Sequence, residues 1–255
     1  MFEALVMGIV QGLTEFLPVS STAHLILFPW FFGWKGELDS LSFDVALHAG
    51  TLVALLICFW RDWIDMIFSN RRLLLLLVLA TIPAGVLGKL FNDIIEERLR
   101  SPFIISFSLV AIGIFMLIAE TGRKRRPLDS VTTGDAVSIG LSQAVALIPG
   151  VSRSGITIAS GLLRGLDRES AARFSFLLST PVIGGAVLLH LKKMLSSPVQ
   201  HDLRLFSVGV ISSAVTGFIA IRFLMGFLRR RGLHVFAYYR FALAAVILAG
   251  LWMKR

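Results

Sequence analysis

The chain alternates long apolar stretches with short polar ones. Six stretches run uninterrupted for roughly 17–20 residues, enough to cross about 30 Å of hydrocarbon as helices. They are rich in Leu, Ile, Val and Phe and lack period-two alternation, which points to helices and away from outer-membrane strands. Two further stretches, 3–32 and 134–165, are broken in the middle. In the first, helix-compatible Phe2–Phe16 meets Leu17-Pro18-Val19-Ser20-Ser21. In the second, Asp135–Ile148 meets Pro149-Gly150-Val151-Ser152-Arg153-Ser154-Gly155. Proline lacks the amide hydrogen and clashes with the preceding turn, so each break ends a helix. A half-helix of about 10–12 residues rises roughly 15–18 Å and reaches the bilayer midplane.

With an offset of about 132 residues the chain matches itself weakly but persistently. Gly8-Ile9-Val10-Gln11 falls on Gly140-Leu141-Ser142-Gln143, and Val19-Ser20-Ser21 on Val151-Ser152-Arg153. Phe43 onward falls on Phe174 onward at an offset of about 131. Leu73 to Phe91 falls on Leu205 to Phe223, with Gly85 on Gly217, and Phe103 to Glu120 falls on Phe236 to Met253. One integral-membrane domain, 1–255, thus holds repeat 1 (about 1–122) and repeat 2 (about 133–255). Each repeat has one broken segment followed by three full spans.

Loop charge decides whether the broken segments cross. If they turn back, one face receives Arg61, Arg71, Arg72, Arg123 to Arg126, Arg164, Arg168, Arg173 and Arg229 to Arg231. The other receives Lys35, Arg98, Arg100, Lys192, Lys193, Arg204, Lys254 and Arg255, offset by Glu96, Glu97 and Asp202. If both cross, the bias disappears. The positive-inside rule therefore favours re-entrant segments. Three spans per repeat is odd, so the second repeat is inverted. The expected fold is an all-α polytopic membrane protein with an inverted-topology repeat: six transmembrane helices plus two re-entrant helix-loop-helix segments.

Composition agrees. The 255 residues are 56% hydrophobic and 16% charged, against about 25% charged in soluble domains. The formal charge of +9 suits cytoplasmic loops and anionic lipid contacts, and nucleic acid is not expected as a partner. The single cysteine, Cys58, lies in an apolar run and leaves no disulfide or thiolate metal site. No cleavable signal is read at Met1, which opens into a segment carrying Glu3, Gln11 and Glu15.

Candidate chemistry sits at the two breaks. Gln11 and Glu15 are four residues apart and share a helix face. After Pro18, Ser20, Ser21 and Thr22 stand where a new helix starts, with Ser20 or Ser21 as its cap and His24 on its first turn. A carboxylate at membrane depth is costly unless paired or hydrated, so Glu15 is a functional candidate. At the second break, the helix is expected to resume after Gly155 with free amide donors. Arg153 adds a planar donor fork suited to phosphate, and Ser152, Ser154 and Thr157 add hydroxyls. A carboxylate and an amide can hold a divalent cation (Mg or Ca) through oxygen, which makes Glu15 and Gln11 the metal candidates. The set suits phosphoryl or pyrophosphoryl hydrolysis. Asp44 and His48, one turn apart in the first full span, could line the cavity but, with no partner identifiable in the sequence, read more readily as packing. Glu3, Glu120, His190, His201 and His234 read as interfacial.

These motifs resemble the undecaprenyl-pyrophosphate phosphatases of the bacitracin-resistance-protein family. The likeness covers nearly the whole chain: GLTEFLPVSSTAHL, FDVALHAGTLVALLICFWR, PGVSRSGIT, FSFLLSTP and Tyr238-Tyr239-Arg240-Phe241. It implies a divalent-metal-dependent enzyme of the bacterial inner membrane that takes the terminal phosphate from undecaprenyl pyrophosphate and regenerates the carrier for wall polymers. By this likeness Glu15, Ser21, His24 and Arg153 are catalytic. Ser20, Thr22, Ser152, Arg153, Ser154 and Thr157 bind pyrophosphate, and the site faces the outside, where polymerisation releases the substrate. Many members carry glutamate where this chain has Gln11. Whether the protein forms a homodimer stays open. Inverted repeats with broken helices also fit a lipid flippase or secondary transporter, which needs neither Ser21 nor His24. Acid-phosphatase-like lipid phosphatases are excluded, since no Pro-Ser-Gly-His occurs.

Overall fold

The computed structural model describes residues 1–99, 101–195 and 202–253, apart from the side chains of residues 39, 92–98 and 193–195. Of the charges placed above on the sparser face, Arg100, Lys254 and Arg255 lie outside the described residues, as does His201; so do the side chains of Glu96, Glu97, Arg98 and Lys193. Among the described residues the chain forms eleven α-helices. The first broken segment is α1 (Phe2–Phe16) and α2 (Ser21–Phe32), and the second is α7 (Thr133–Val145) and α8 (Arg153–Leu163). A short α4 (Trp60–Phe68) follows the first full span. Among the described residues six helices are long and apolar enough to cross a membrane: α3 (Leu41–Cys58), α5 (Arg71–Arg98), α6 (Pro102–Ala119), α9 (Arg168–Leu195), α10 (Leu203–Leu228) and α11 (His234–Met253). This is an all-α, multi-pass membrane protein.

The short helices pack against full spans of the opposite half. On α1, a side chain at Gly8 would run into Ser212 and the Gly209 carbonyl of α10. On α7, a Cβ at Gly140 would lie 2.5 Å from the Ala80 carbonyl of α5. The sequence offset puts Gly8 on Gly140 and Ala80 on Ser212, so the two contacts correspond. Absence of side chains lets backbones approach and gains dispersion contact, which drives helix association where lipid removes the hydrophobic force. The remaining aligned pair, α6 and α11, meets through Gly113 against the Phe241 ring.

The basic residues assigned to one face gather there around carboxylates. Asp135, in the first turn of α7, is fully buried and bonds Arg126 and Arg164, each at 2.7 Å. Burial alone would raise its carboxyl, but hydrogen bonds from Arg126, Thr132 and Arg164 hold it well below the usual carboxylate range. Arg164 follows the end of α8, so this pairing brings the start and finish of the second broken segment together. Nearby, Glu120 bonds Arg168 at 2.6 Å and the Leu233 amide at 2.9 Å, Arg173 pairs with Asp62, and Arg229 with Glu169. On the other face, the first turns of α1 cluster with Leu25, Leu38, Phe43 and Phe206.

Candidate active site

Both breaks are built the same way. Ser20 and Ser152 hold positive φ angles of 78° and 68°, a region that costs a non-glycine residue about 1–3 kcal/mol. Each side chain then caps the helix it starts, accepting from the Ala23 and Gly155 amides. The second helix therefore resumes at Arg153, three residues before the expected start at Ile156. The Gly155 amide is spent on the cap and is not a free phosphate donor. Arg153 instead stands in the first turn, aimed across the molecule at α1.

There it meets Glu15. Arg153 Nη2 donates to Glu15 Oε1 at 2.6 Å, and both side chains are largely buried. Glu15 Oε2 accepts from Ser21 Oγ at 2.6 Å and from Gln11 Nε2 at 3.1 Å. His48, placed above among packing residues, lies 3.4 Å from the same oxygen through Nε2. Its Nδ1 lies 2.7 Å from the Asp44 carbonyl, which can only accept. Donation from Nε2 to Glu15 therefore requires the doubly protonated ring. The i, i+4 spacing of Asp44 and His48 was the available signal, but nothing in it revealed that Nε2 would find Glu15.

A cavity of about 230 Å³ opens beside this cluster, lined by Glu15, Ser20, Ser21, Thr22, His48, Gln143, Ser152 and Arg153, with Val45, Ala84, Leu147, Ile183 and Ala186 among its apolar wall. Several buried polar atoms around it have no partner: Gln11 Oε1, Arg153 Nη1 and both polar atoms of Gln143. An unmade buried hydrogen bond costs about 1–3 kcal/mol, so these atoms mark a site built for a polar ligand. Arg153 Nη1 and Gln143 Nε2 are donors of the kind that phosphate oxygens accept from. Gln143 was noted in the sequence only as the counterpart of Gln11, which was the clue to it. The acceptors, Gln11 Oε1, Gln143 Oε1, Glu15 and the Ser21 hydroxyl, are oxygens, the ligand type that hard divalent cations take, although Gln11 is absent from the cavity lining. Among the described residues no three His, Cys, Asp or Glu side chains cluster as metal ligands, so phosphate oxygens would have to complete any cation's shell.

The other candidates stand behind the cavity wall. His24 stacks on Tyr239 and uses both ring nitrogens, Nδ1 on the Ser20 carbonyl at 2.7 Å and Nε2 with the Tyr239 hydroxyl at 2.8 Å. Thr157 bonds Ser175 Oγ at 2.6 Å, and Ser154 reaches the Leu17 carbonyl at 3.3 Å. All three are buried and are absent from the lining. Beneath them Arg240, fully buried, donates to the carbonyls of Pro18, Ser108, Leu109, Gly150 and Val151. It ties the tips of both breaks together.

Fold and site thus define a polytopic membrane protein with a polar cavity, lined by Glu15, Ser21 and Arg153, where two broken helices meet. Residues 4–246 match the model of the bacitracin resistance protein BacA family. The chain is 56% identical over 247 residues to a protein of Thermodesulfovibrio yellowstonii named undecaprenyl-diphosphatase, covering 97% of this chain and 96% of that one. It is 49% identical to one of the same name from Moorella thermoacetica (99% and 98% covered), and 51% identical to one from Desulforudis audaxviator (97% and 96%). The chain belongs to the BacA family.

Proposed function

We propose that this protein hydrolyses undecaprenyl pyrophosphate to undecaprenyl phosphate, recycling the lipid carrier of cell-wall synthesis. The observation that carries the chemistry is the 2.6 Å bond from Ser21 Oγ to Glu15 Oε2, with Arg153 on the other carboxylate oxygen. It pairs a nucleophile with a base and a cation in one lined cavity, which a lipid carrier would not need. Ser21 Oγ attacks the terminal phosphorus while Glu15 takes its proton; the Oγ–P bond forms as the bridging P–O bond breaks, and undecaprenyl phosphate leaves. Water then attacks the phosphorus; the Oγ–P bond breaks, inorganic phosphate leaves with the water's oxygen, and Glu15 returns its proton to Ser21 Oγ. Arg153 passes from Glu15 to the phosphate as substrate arrives, which returns basicity to the carboxylate and places charge where the transition state develops it. His24, Ser154 and Thr157 hold the two tips in register. A divalent cation would be held by Glu15 and Gln11 with substrate oxygens, and would neutralise phosphate charge. Phosphate release by purified protein is expected to fall to background in excess chelator and to return with added Mg or Ca. Full activity in chelator would remove the metal from this reading.

The site is proposed to face the outside of an inner membrane, with both broken segments re-entrant. The basic face lies in the cytoplasm by the positive-inside rule. Counting spans back from Arg61 puts the start of α3, Met1 and Lys35 outside. The Cys58→Ser protein with single cysteines at Lys35, Ser130 or Ser21 tests this with an impermeant thiol reagent on intact cells. Lys35→Cys should label, Ser130→Cys should not, and Ser21→Cys should label unless substrate blocks it. Labelling at Ser130→Cys with none at Lys35→Cys would invert the topology.

A further inference from the structure

The two halves correspond closely, yet one seam between them is sealed and its counterpart is not. Where α3 meets α10, Gly50 lets the Val210 carbonyl approach, and Gly209 sits with its Cβ position 2.7 Å from Leu47. Ser213 Oγ donates across the seam to the Leu47 carbonyl at 2.8 Å. The internal alignment pairs α3 with α9 and α10 with α5, and puts Pro181, Leu77 and Thr81 where the sealed seam has Gly50, Gly209 and Ser213. Both close-approach glycines are gone. Thr81 turns back to its own helix, donating to the Leu77 carbonyl at 2.8 Å. Accordingly α5 and α9 meet over a much shorter stretch than α3 and α10.

The consequence is visible at paired positions. Gly217 and Ala54 touch across the sealed seam, where a Cβ on Gly217 would lie 3.2 Å from Ala54. Their counterparts Gly85 and Gly185 have nothing within 4 Å of a Cβ. Ala186 is exposed where the sealed seam carries fully buried Leu55. Gly88, one turn after Ala84 on the same helix face, would offer a Cβ only ordinary contact with Leu147.

The cavity holding Glu15 and Arg153 runs into this gap, since Ala84 of α5 and Val182, Ile183 and Ala186 of α9 line it. At about 230 Å³ the cavity has room for a pyrophosphate and the first carbons of what it carries, but not for a long isoprenoid chain. A long isoprenoid chain stays in hydrocarbon, so it must leave the cavity through an apolar opening. Along α5 and α9 the gap lies beyond the midpoint from Arg71 and Arg168, in the half of the protein away from the basic face. We propose that the substrate's isoprenoid chain threads the α5–α9 gap, entering sideways from the leaflet opposite the basic face, and that the loss of the two seam glycines made the opening. This rests on the reading of the site as a lipid pyrophosphatase.

The test compares undecaprenyl pyrophosphate with isopentenyl pyrophosphate, whose five-carbon chain ends inside the cavity. In Ala186→Trp and in Gly88→Leu the ratio of kcat/KM for long over short substrate is expected to fall by about tenfold or more. Val215→Trp, on an exposed face of α10, should hold that ratio within about twofold. An unmoved ratio in the gap variants, or an equal fall for both substrates, overturns the proposal. Wild-type protein gives a second readout independent of variant folding: a polyprenyl pyrophosphate with a photoreactive group on its third isoprene unit should cross-link to α5 and α9. Cross-linking to α3 and α10 instead overturns it. Cross-linking to α5 and α9 with no phosphate released from either substrate would uphold the chain path and reject the hydrolase reading.

Discussion

Glu15→Gln is expected to lower kcat for phosphate release by about 10³-fold or more while the protein still inserts and folds. Glutamine keeps the volume and can still meet Ser21, but it removes the charge that both Arg153 and His48 face. On the proposed mechanism Ser21 loses the acceptor for its proton, and a divalent cation held there would lose its anionic ligand. Arg153 is left with a neutral partner; losing one member of a buried pair costs about 3–5 kcal/mol in dry interiors, reduced here because the cavity admits water. Thermal unfolding of the variant should therefore shift modestly while turnover collapses. A rate near that of the parent would sink the assignment of Glu15 as base and ligand.

Arg153→Lys should fail nearly as badly as Arg153→Ala, each losing about 10²–10³-fold. Nη2 is already committed to Glu15, and Nη1 is buried, unpartnered and left for a second oxygen. Once Arg153 turns from Glu15 to the phosphate, its planar fork can donate to two phosphate oxygens through Nη1 and Nη2; an ammonium is a point charge without that fixed pair of donors. Phosphate release at saturating substrate separates the variants. If lysine restores more than half the activity, the site needs charge alone and the fork has no special part.

The six spans and the two breaks were legible because hydrocarbon thickness and proline geometry act on local sequence. Gln11 with Glu15 could be read from helical spacing, and the placing of Glu15 and Arg153 at corresponding breaks from the repeat. What spacing could not reveal was which polar atoms would end up sharing a carboxylate. His48 joins the site through a helix that follows the first break by some twenty residues of sequence. His24 looks exposed to substrate on its helical turn, but a tyrosine 215 positions away closes over it. The residue at which α8 begins was also missed, because it depends on a serine tolerating a left-handed backbone, a choice made by the tertiary frame.

The Arg240 clamp bears on how the molecule moves. A carrier that exposes its cargo to one side and then the other must part its two central tips and close them again elsewhere. Here a single guanidinium spans both tips, drawing on Pro18 from one and on Gly150 and Val151 from the other. Pulling them apart would strip a permanent charge of its acceptors in a region where water is scarce. The centre of this protein is therefore a fixed anvil, and exchange of substrate for product falls to the helices around it.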